Sequence, residues 1–330
     1  MKRIISRICL FLLLFIFVFL SIGIFNRAIF KKYYCNKALF LGAEVNTLMV
    51  GDSHTMSSLN PEFVHNSANI SLAQENYYLL FYKIKIFLLN NSQLKNIIIG
   101  FSNHNISNSY FESTIYEKNR TKEVLDMYYP LMDHEGRKII RAINAPYIEN
   151  YMKYNLGIPI KIYKDNLYIK NIFDIEITKE DYVFFGNYYD SNKNNLDQEK
   201  TRITSLTHYY SDGKYSGKST ISINYLIKII EICRNNGKNV YLYKSPLHTI
   251  YKNKIPSSSI NDYNALVGQL MNRYKDIVFI DYSDIQLPNN YYGDGNHVNS
   301  SGAKIISLRI NKILDNATNN KNRVYNEKAL

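Results

Sequence analysis

Two short runs near opposite ends of the chain carry residue types that can do chemistry together. Gly51-Asp52-Ser53-His54 follows four apolar or small residues, and Asp294-Gly295-Asn296-His297 stands just before a helical pattern near the C-terminus. A serine hydroxyl is a weak nucleophile until a base takes its proton. An imidazole serves best as that base when a third group fixes its tautomer. Ser53, His297 and Asp294 supply nucleophile, base and orienting carboxylate, and the D-x-x-H spacing lets the carboxylate meet the other ring nitrogen within one turn. The chemistry expected of such a set is acyl transfer through an acyl-serine.

The neighbouring polar residues read differently. Asp52 is suited to capping the helix that follows it. His54 adjoins Ser53 in the same turn, and adjacent turn residues rarely aim at one atom, so His54 is assigned a possible substrate contact and not the role of base. His104 and His248 read as polar loop residues. A metal-dependent phosphoesterase is a rival, because Asp52-x-His54 and Gly295-Asn296-His297 echo fragments of its D-x-H and G-N-H motifs. The chain has no G-D-x-x-D between them, and Val298 occupies the position where an acid is needed, so a two-metal site lacks ligands. No metal and no organic cofactor is expected.

These groups need a scaffold that brings chain ends together. Thr47–Val50 reads as a buried strand ending at Gly51; residues 74–90 as a mostly buried helix; Asn96–Gly100 as a second strand. Ile223, Leu226, Ile227, Ile230 and Cys233 fall at helical spacing before Gly237, and Asn239–Tyr243 is strand-like. Residues 260–275 look helical, 277–281 form a last strand, and Ile306, Ile310, Ile313 and Leu314 mark the final helix. Strands alternating with helices predict a parallel α/β sheet covered on both faces, with active residues at the strands' carboxyl ends. Residues 104–215 lose this rhythm and read as an insertion; the tail from 317 reads as polar and frayed.

Gly51-Asp52-Ser53 after the first strand, with Asp294-x-x-His297 before the last helix, resembles the SGNH (GDSL-like) hydrolase superfamily. The resemblance spans residues 46–105 and 237–315 and implies a three-layer, flavodoxin-like parallel sheet. It also implies an oxyanion hole made by the Ser53 backbone N–H, a backbone N–H at the family's glycine position, and an asparagine side chain. Ala73 stands where that glycine is expected. The asparagine maps to Asn103 in Gly100-Phe101-Ser102-Asn103, one residue later than the family's G-x-N, with Asn105 as a rival. Within the superfamily the chain looks like the branch that modifies cell-surface polymers, which includes polysaccharide O-acetyltransferases and the anchored protein of teichoic-acid D-alanylation.

That likeness draws on the N-terminus, where residues 8–25 are uncharged and follow Lys2, Arg3 and Arg7. Such a run is long enough for a transmembrane anchor, the expected reading, with a signal peptide cleaved near Ser21-Ile22-Gly23 as the alternative. The expected organisation is an anchor over 1–25, a juxtamembrane linker over 26–45, the hydrolase-like domain over 46–316 and a tail over 317–330, with the domain extracytoplasmic. The 330 residues carry a formal charge of +12, which suits an acidic partner. The basic residues are dispersed and no nucleic-acid motif stands out, so nucleic acid is not an expected partner. Expected partners are an acylated or acyl-accepting glycan and a membrane-embedded acyl-donor protein. A non-enzyme alternative is a degenerate fold of this type that binds glycans or scaffolds surface-polymer assembly. Cys9, Cys35 and Cys233 show no CxxC or metal-ligand spacing and read as free thiols, with a Cys35–Cys233 pair as the alternative.

Overall fold

A computed structural model describes residues 3–18, 21, 40–116, 128, 131–143, 186–317 and 324–325. The chain divides into two units, one of Met1–Phe40 and Met132–Asp181, the other of Leu41–Leu131 and Tyr182–Leu330. In the first unit, residues 3–18 are helical with their apolar side chains exposed, and a helix spans His134–Ile143. Among the described residues no helix is long and apolar enough to cross a membrane. Residues 19, 20 and 22–25 of the apolar run, and Cys35, lie outside the described residues.

The second unit is a parallel α/β sheet. Its strands are β1 (Thr47–Val50), β2 (Ser67–Asn69), β3 (Asn96–Gly100), β6 (Asn239–Lys244), β7 (Val278–Asp281) and β8 (Val324–Tyr325), in the order β2-β1-β3-β6-β7-β8. Two further short strands, β4 (Tyr210–Ser211) and β5 (Lys214–Tyr215), pair apart as a hairpin. All six strands of the main sheet run parallel, and the first five have the flavodoxin-like order. In that order the chain leaves β1 for one side of the sheet and then returns to add β3 on the other. In sheets of this order the crevice lies outside the carboxyl ends of these two strands.

The helices are α1 (Ser53–Ser58), α2 (Tyr77–Asn90), α3 (Asn108–Tyr116), α4 (His134–Ile143, in the first unit), α5 (Gln198–Tyr209), α6 (Thr220–Asn235), α7 (Thr249–Lys252), α8 (Ser257–Arg273) and α9 (Ser300–Ala317). Strand side chains alternate between faces. Met49, Ile98, Tyr241, Tyr243, Val278 and Ile280 pack on one face against Ile306, Ile310, Ile313 and Leu314 of α9. The alternate residues Leu48, Val50, Ile97, Ile99, Val240, Leu242 and Phe279 are buried on the other. The runs are apolar at nearly every position because both faces are covered. Cys233 is a buried free thiol whose pKa burial pushes up to about 12.

Four strands and their helices lie where the sequence places them, to within a few residues. Two strands do not. β2 is the three-residue Ser-Ala-Asn, too short and polar to show a period, and its register comes from pairing with β1. β8 lies inside the tail expected to be frayed, where Val324 and Tyr325 pair with Phe279 and Ile280.

The crevice depends on two glycines. A Cβ on Gly100 would lie 2.1 Å from Thr55 Oγ1, and one on Gly51 would lie 2.4 Å from the same atom and 3.2 Å from the Gly100 Cα. The ends of β1 and β3 therefore approach backbone to backbone, with Thr55 of α1 seated over both. Gly100→Ala is expected to destabilise the protein by about 1–3 kcal/mol, the usual cost of overpacking. Thr55→Ala removes the colliding atom together with a buried hydroxyl that lacks a partner among the described residues. The double variant should recover most of the loss, and a urea-denaturation cycle on the four proteins measures the coupling.

Candidate active site

Ser53 is the first residue of α1, and the helix starts there because the Asp52 side chain accepts a hydrogen bond from the His54 N–H at 3.0 Å. His297 comes from the loop between β7 and α9. That loop is pinned by a Tyr292–Val298 bridge and by the Asp294 carboxylate, which accepts from the backbone N–H groups of Asn296 (3.0 Å) and His297 (2.9 Å). Both Asp294 oxygens also face His297 Nδ1, at 3.0 and 3.1 Å, while His297 Nε2 lies 2.9 Å from Ser53 Oγ. The proton on Nδ1 is thereby held by the carboxylate, and Nε2 is left to accept the serine hydroxyl's proton. Gly295 lets the loop close against α5, since a Cβ there would sit 2.6 Å from Thr201 Oγ1. Burial raises the pKa of Asp294, but hydrogen bonding and charge from His297, with the two backbone N–H groups, outweigh it and bring it down to about 2.

The Asp52 carboxylate does more than cap the helix. It is buried, and its second oxygen receives His104 Nε2 at 2.5 Å, Asn105 Nδ2 at 2.7 Å and the Tyr110 hydroxyl at 3.1 Å. Burial alone would raise its pKa; the charge and hydrogen bond of His104, followed by His54 and Asn105, hold it far below the usual carboxylate range. This carboxylate joins the turn after β1 to the turn after β3. The Asn105 side chain is committed there, its amide oxygen accepting from the Ser102 N–H at 2.8 Å. Asn103, in the same 3-10 turn (Asn103–Ile106), is buried and has no side-chain hydrogen bond among the described residues. Of the two asparagines, Asn103 is the one whose amide is uncommitted.

Ala73 lies in the loop after β2, where the Leu72 N–H donates to the Gly51 carbonyl at 3.0 Å beside the nucleophile turn. The loop is held from beneath by a fully buried ion pair between Glu75 and Lys83 of α2 at 2.5 Å. Lys83 Nζ also donates to the Ile70 carbonyl at 2.7 Å, and the Tyr128 hydroxyl donates to Glu75. Burial lowers the Lys83 pKa, opposed by Glu75. From the other direction, the Asn69 amide donates to the carbonyls of Thr55 and Leu59 while its oxygen accepts from Ser71.

His54, expected to contact substrate, is instead buried. Its ring lies 4.2 Å from that of His104 and 5.1 Å from that of His297, centroid to centroid. Its Nδ1 faces Ser245 Oγ at 3.3 Å and its Nε2 faces Asn296 Nδ2 at 3.1 Å. His104, expected in a polar loop, is buried on Asp52 and stacks on His208, whose Nδ1 is 2.6 Å from the Tyr251 hydroxyl. Burial pushes both His54 and His208 well below the ordinary histidine value, so both rings are neutral at pH 7. His248 does cap a loop, accepting from the Ile250 N–H at the start of α7. His208, Tyr251, Ser245 and Asn296 carry no spacing signal relative to Ser53, because they converge only through tertiary packing. Among the described residues no group of three or more His, Cys, Asp or Glu side chains is arranged to hold a metal ion.

An extended strap over residues 186–197 laces these parts together. Asn187 N–H donates to Ser71 O (3.1 Å), Tyr189 N–H to Met56 O (2.9 Å) and Asn195 N–H to Gly293 O (2.8 Å); Ser191 and Ser300 exchange two hydrogen bonds of 2.9 Å. The strap thus touches the loop bearing Ala73, the nucleophile helix, the loop bearing Asp294 and His297, and the start of α9.

Comparison with known proteins adds little. A family model that carries no description matches residues 188–321, less than half of the chain. No curated protein matches. Among solved structures, a candidate acylhydrolase of Bacteroides fragilis is similar over 82% of this chain and 86% of its own, at 11% identity and a TM-score of 0.36. That likeness is too loose to bear on fold or activity.

The Asp294 geometry gives stability a pH dependence of definite sign. A free aspartate titrates near 3.8 and Asp294 in the folded protein at about 2, so between those values the unfolded chain binds the proton and the folded one does not. The stability contributed by this group is complete above about pH 4 and is lost as the pH falls through 2. Denaturant unfolding at pH 6, 4, 3 and 2 should show the gap between wild type and Asp294→Asn narrowing as the pH drops.

Proposed function

We propose that this protein is a serine-dependent acyl-transfer enzyme of the SGNH type, an esterase or O-acyltransferase acting on a cell-envelope polysaccharide. The observation that carries the reading is the unbroken chain Asp294–His297–Ser53, with 3.0 and 2.9 Å links between residues far apart in sequence. In the first step Ser53 Oγ attacks an ester carbonyl carbon, and its proton passes to His297 Nε2. Asp294 stabilises the imidazolium that forms. The carbonyl oxygen, now negative, is received by the Ser53 backbone N–H, the backbone at Ala73 and the Asn103 amide. Collapse expels the alcohol, which takes its proton back from His297, and leaves the acyl group on Ser53. Water or a sugar hydroxyl, deprotonated by the same histidine, then releases the acyl group as acid or as a new ester.

The choice of an envelope glycan rests on the apolar run over residues 8–25 and the charge of +12, which favour a tethered, extracytoplasmic catalyst facing an acidic polymer. A membrane-embedded protein that presents the acyl group is the matching partner.

Two measurements test this. Full-length protein incubated with a fluorophosphonate should gain one adduct by intact mass, at Ser53. Ser53→Ala should gain none, His297→Ala should react slower by several orders of magnitude, and Asp294→Asn should lose about 10⁴-fold while keeping residual reactivity. A folded wild type that gains no adduct overturns the proposal. Hydrolysis of an activated acetyl ester then separates the asparagines. Asn103→Ala should lose about 10²–10³-fold in kcat without loss of stability, as for removal of one oxyanion donor. Asn105→Ala should lower the urea midpoint, because it strips Asp52 of a buried donor.

A further inference from the structure

Asn296 is the residue inside the D-x-x-H motif that the triad does not use, and its placement is specific. Its amide nitrogen lies 3.1 Å from His54 Nε2 and 3.3 Å from His297 Nε2, so one amide group spans both rings. His297 Nδ1 faces the Asp294 carboxylate and carries the ring proton, which leaves Nε2 as an acceptor. Only a donor is welcome beside it, and that fixes the NH2 end of Asn296 towards the rings. The two amide hydrogens then go one to each ring, the one on His297 sharing the Nε2 lone pair with the closer Ser53 hydroxyl. His54 accepts at Nε2 and carries its own proton on Nδ1, facing Ser245 Oγ. His54 can do this only while it is neutral, and its burial beside His104 and His297 keeps it so. Asn296 and His54 are both buried and lie on separate elements, the loop before α9 and helix α1.

We propose that Asn296, anchored by His54, is a positioning residue that holds the His297 ring on Ser53 and accepts that ring only in its unprotonated, proton-accepting form. The inference rests on the reading of His297 as the general base. Its physical content is a selective hydrogen bond. Asn296 N–H stabilises a bare Nε2 and opposes one bearing hydrogen, because two N–H groups would then point at each other. The groups that face His297 are Asp294 from its own loop and Ser53 and His54 from α1. His208 from α5 lies beyond His54, as do Asp52 and His104 at the ends of β1 and β3. Asp294 favours a charged ring and the Asn296–His54 pair opposes it.

The sign of the test follows. Loss of a contact that favours the unprotonated ring moves the acid limb of Ser53 reactivity to higher pH. The size for one hydrogen bond selective for one protonation state is about one pH unit. Asn296→Ala should show that shift in the pH profile of fluorophosphonate labelling. Asn296→Asp, of the same shape but bearing a carboxylate that attracts the imidazolium, should shift further in the same direction. His54→Phe keeps a ring in place but removes the anchor, and should reproduce part of the Ala shift. In parallel, ring 15N spectra of the full-length proteins across pH, with His297→Ala for assignment, report the His297 ring without any turnover. If labelling fails for every protein while the His297 resonances still move upward in Asn296→Ala and Asn296→Asp, the acyl-transfer reading falls and this inference stands. If labelling proceeds but the folded Asn296 variants keep the wild-type acid limb and the wild-type His297 titration, losing only rate, Asn296 is merely structural and the inference is overturned.

Discussion

The geometry of this site hangs on one buried negative charge. Asp52 sits where β1 ends, and its carboxylate takes donors from His54, His104, Asn105 and Tyr110. A carboxylate withdrawn from water costs several kcal/mol unless its lone pairs are filled, and removing a partner from such a pair commonly costs about 3–5 kcal/mol. The fold therefore cannot place Asp52 correctly without also placing the 3-10 turn after β3 and the first turn of α3. The same carboxylate oxygen that starts α1 fixes where Ser53 stands, and the other fixes the segment that bears Asn103. Electrostatic satisfaction of one residue thus sets the relation between Ser53 and Asn103, at the switch point that the strand order creates.

Around that centre the chain solves the same problem with different means. The loop at Ala73 is held by the Lys83–Glu75 pair, a charge-assisted contact with both partners out of water. The loop at His297 is held by main-chain hydrogen bonds to Asp294 and by the absence of a side chain at Gly295. The strap over residues 186–197 contributes no chemistry of its own, yet it bonds to the backbone of each of these segments. Ser53, His297 and Asn103 sit on or beside short turns, and the rigidity of those turns is borrowed from elements some distance away in sequence.

How much of this could be read from the sequence differed by element, for physical reasons. Strands with both faces buried announce themselves, since Leu48-Met49-Val50 and Ile97-Ile98-Ile99 leave no polar position. The meeting of Ser53, His297 and Asp294 was legible because each sits in a motif whose residue types have few other joint uses. Ser67-Ala68-Asn69 was invisible because an edge strand of three small or polar residues carries no period, and Val324-Tyr325 because two residues cannot carry one. The histidines were misread for a related reason. His54 and His104 look like turn residues in one dimension, and only the closing of β1 on β3 puts them in a common buried cluster with His208. Polar residues buried by tertiary contact leave no mark in local hydropathy.

The separation of the two motifs along the chain has a consequence for biosynthesis. The segment bearing Ser53 lies with β1, β2 and β3 between residues 47 and 100, whereas His297, Asp294 and two of the points that receive the strap, Gly293 and Ser300, follow some two hundred residues later. A nascent chain emerging from the ribosome therefore carries a serine with no proton acceptor and a strap with half of its docking points missing. The contact between Ser53 and His297 forms only when the loop before α9 docks on α1, so it comes with completion of the fold.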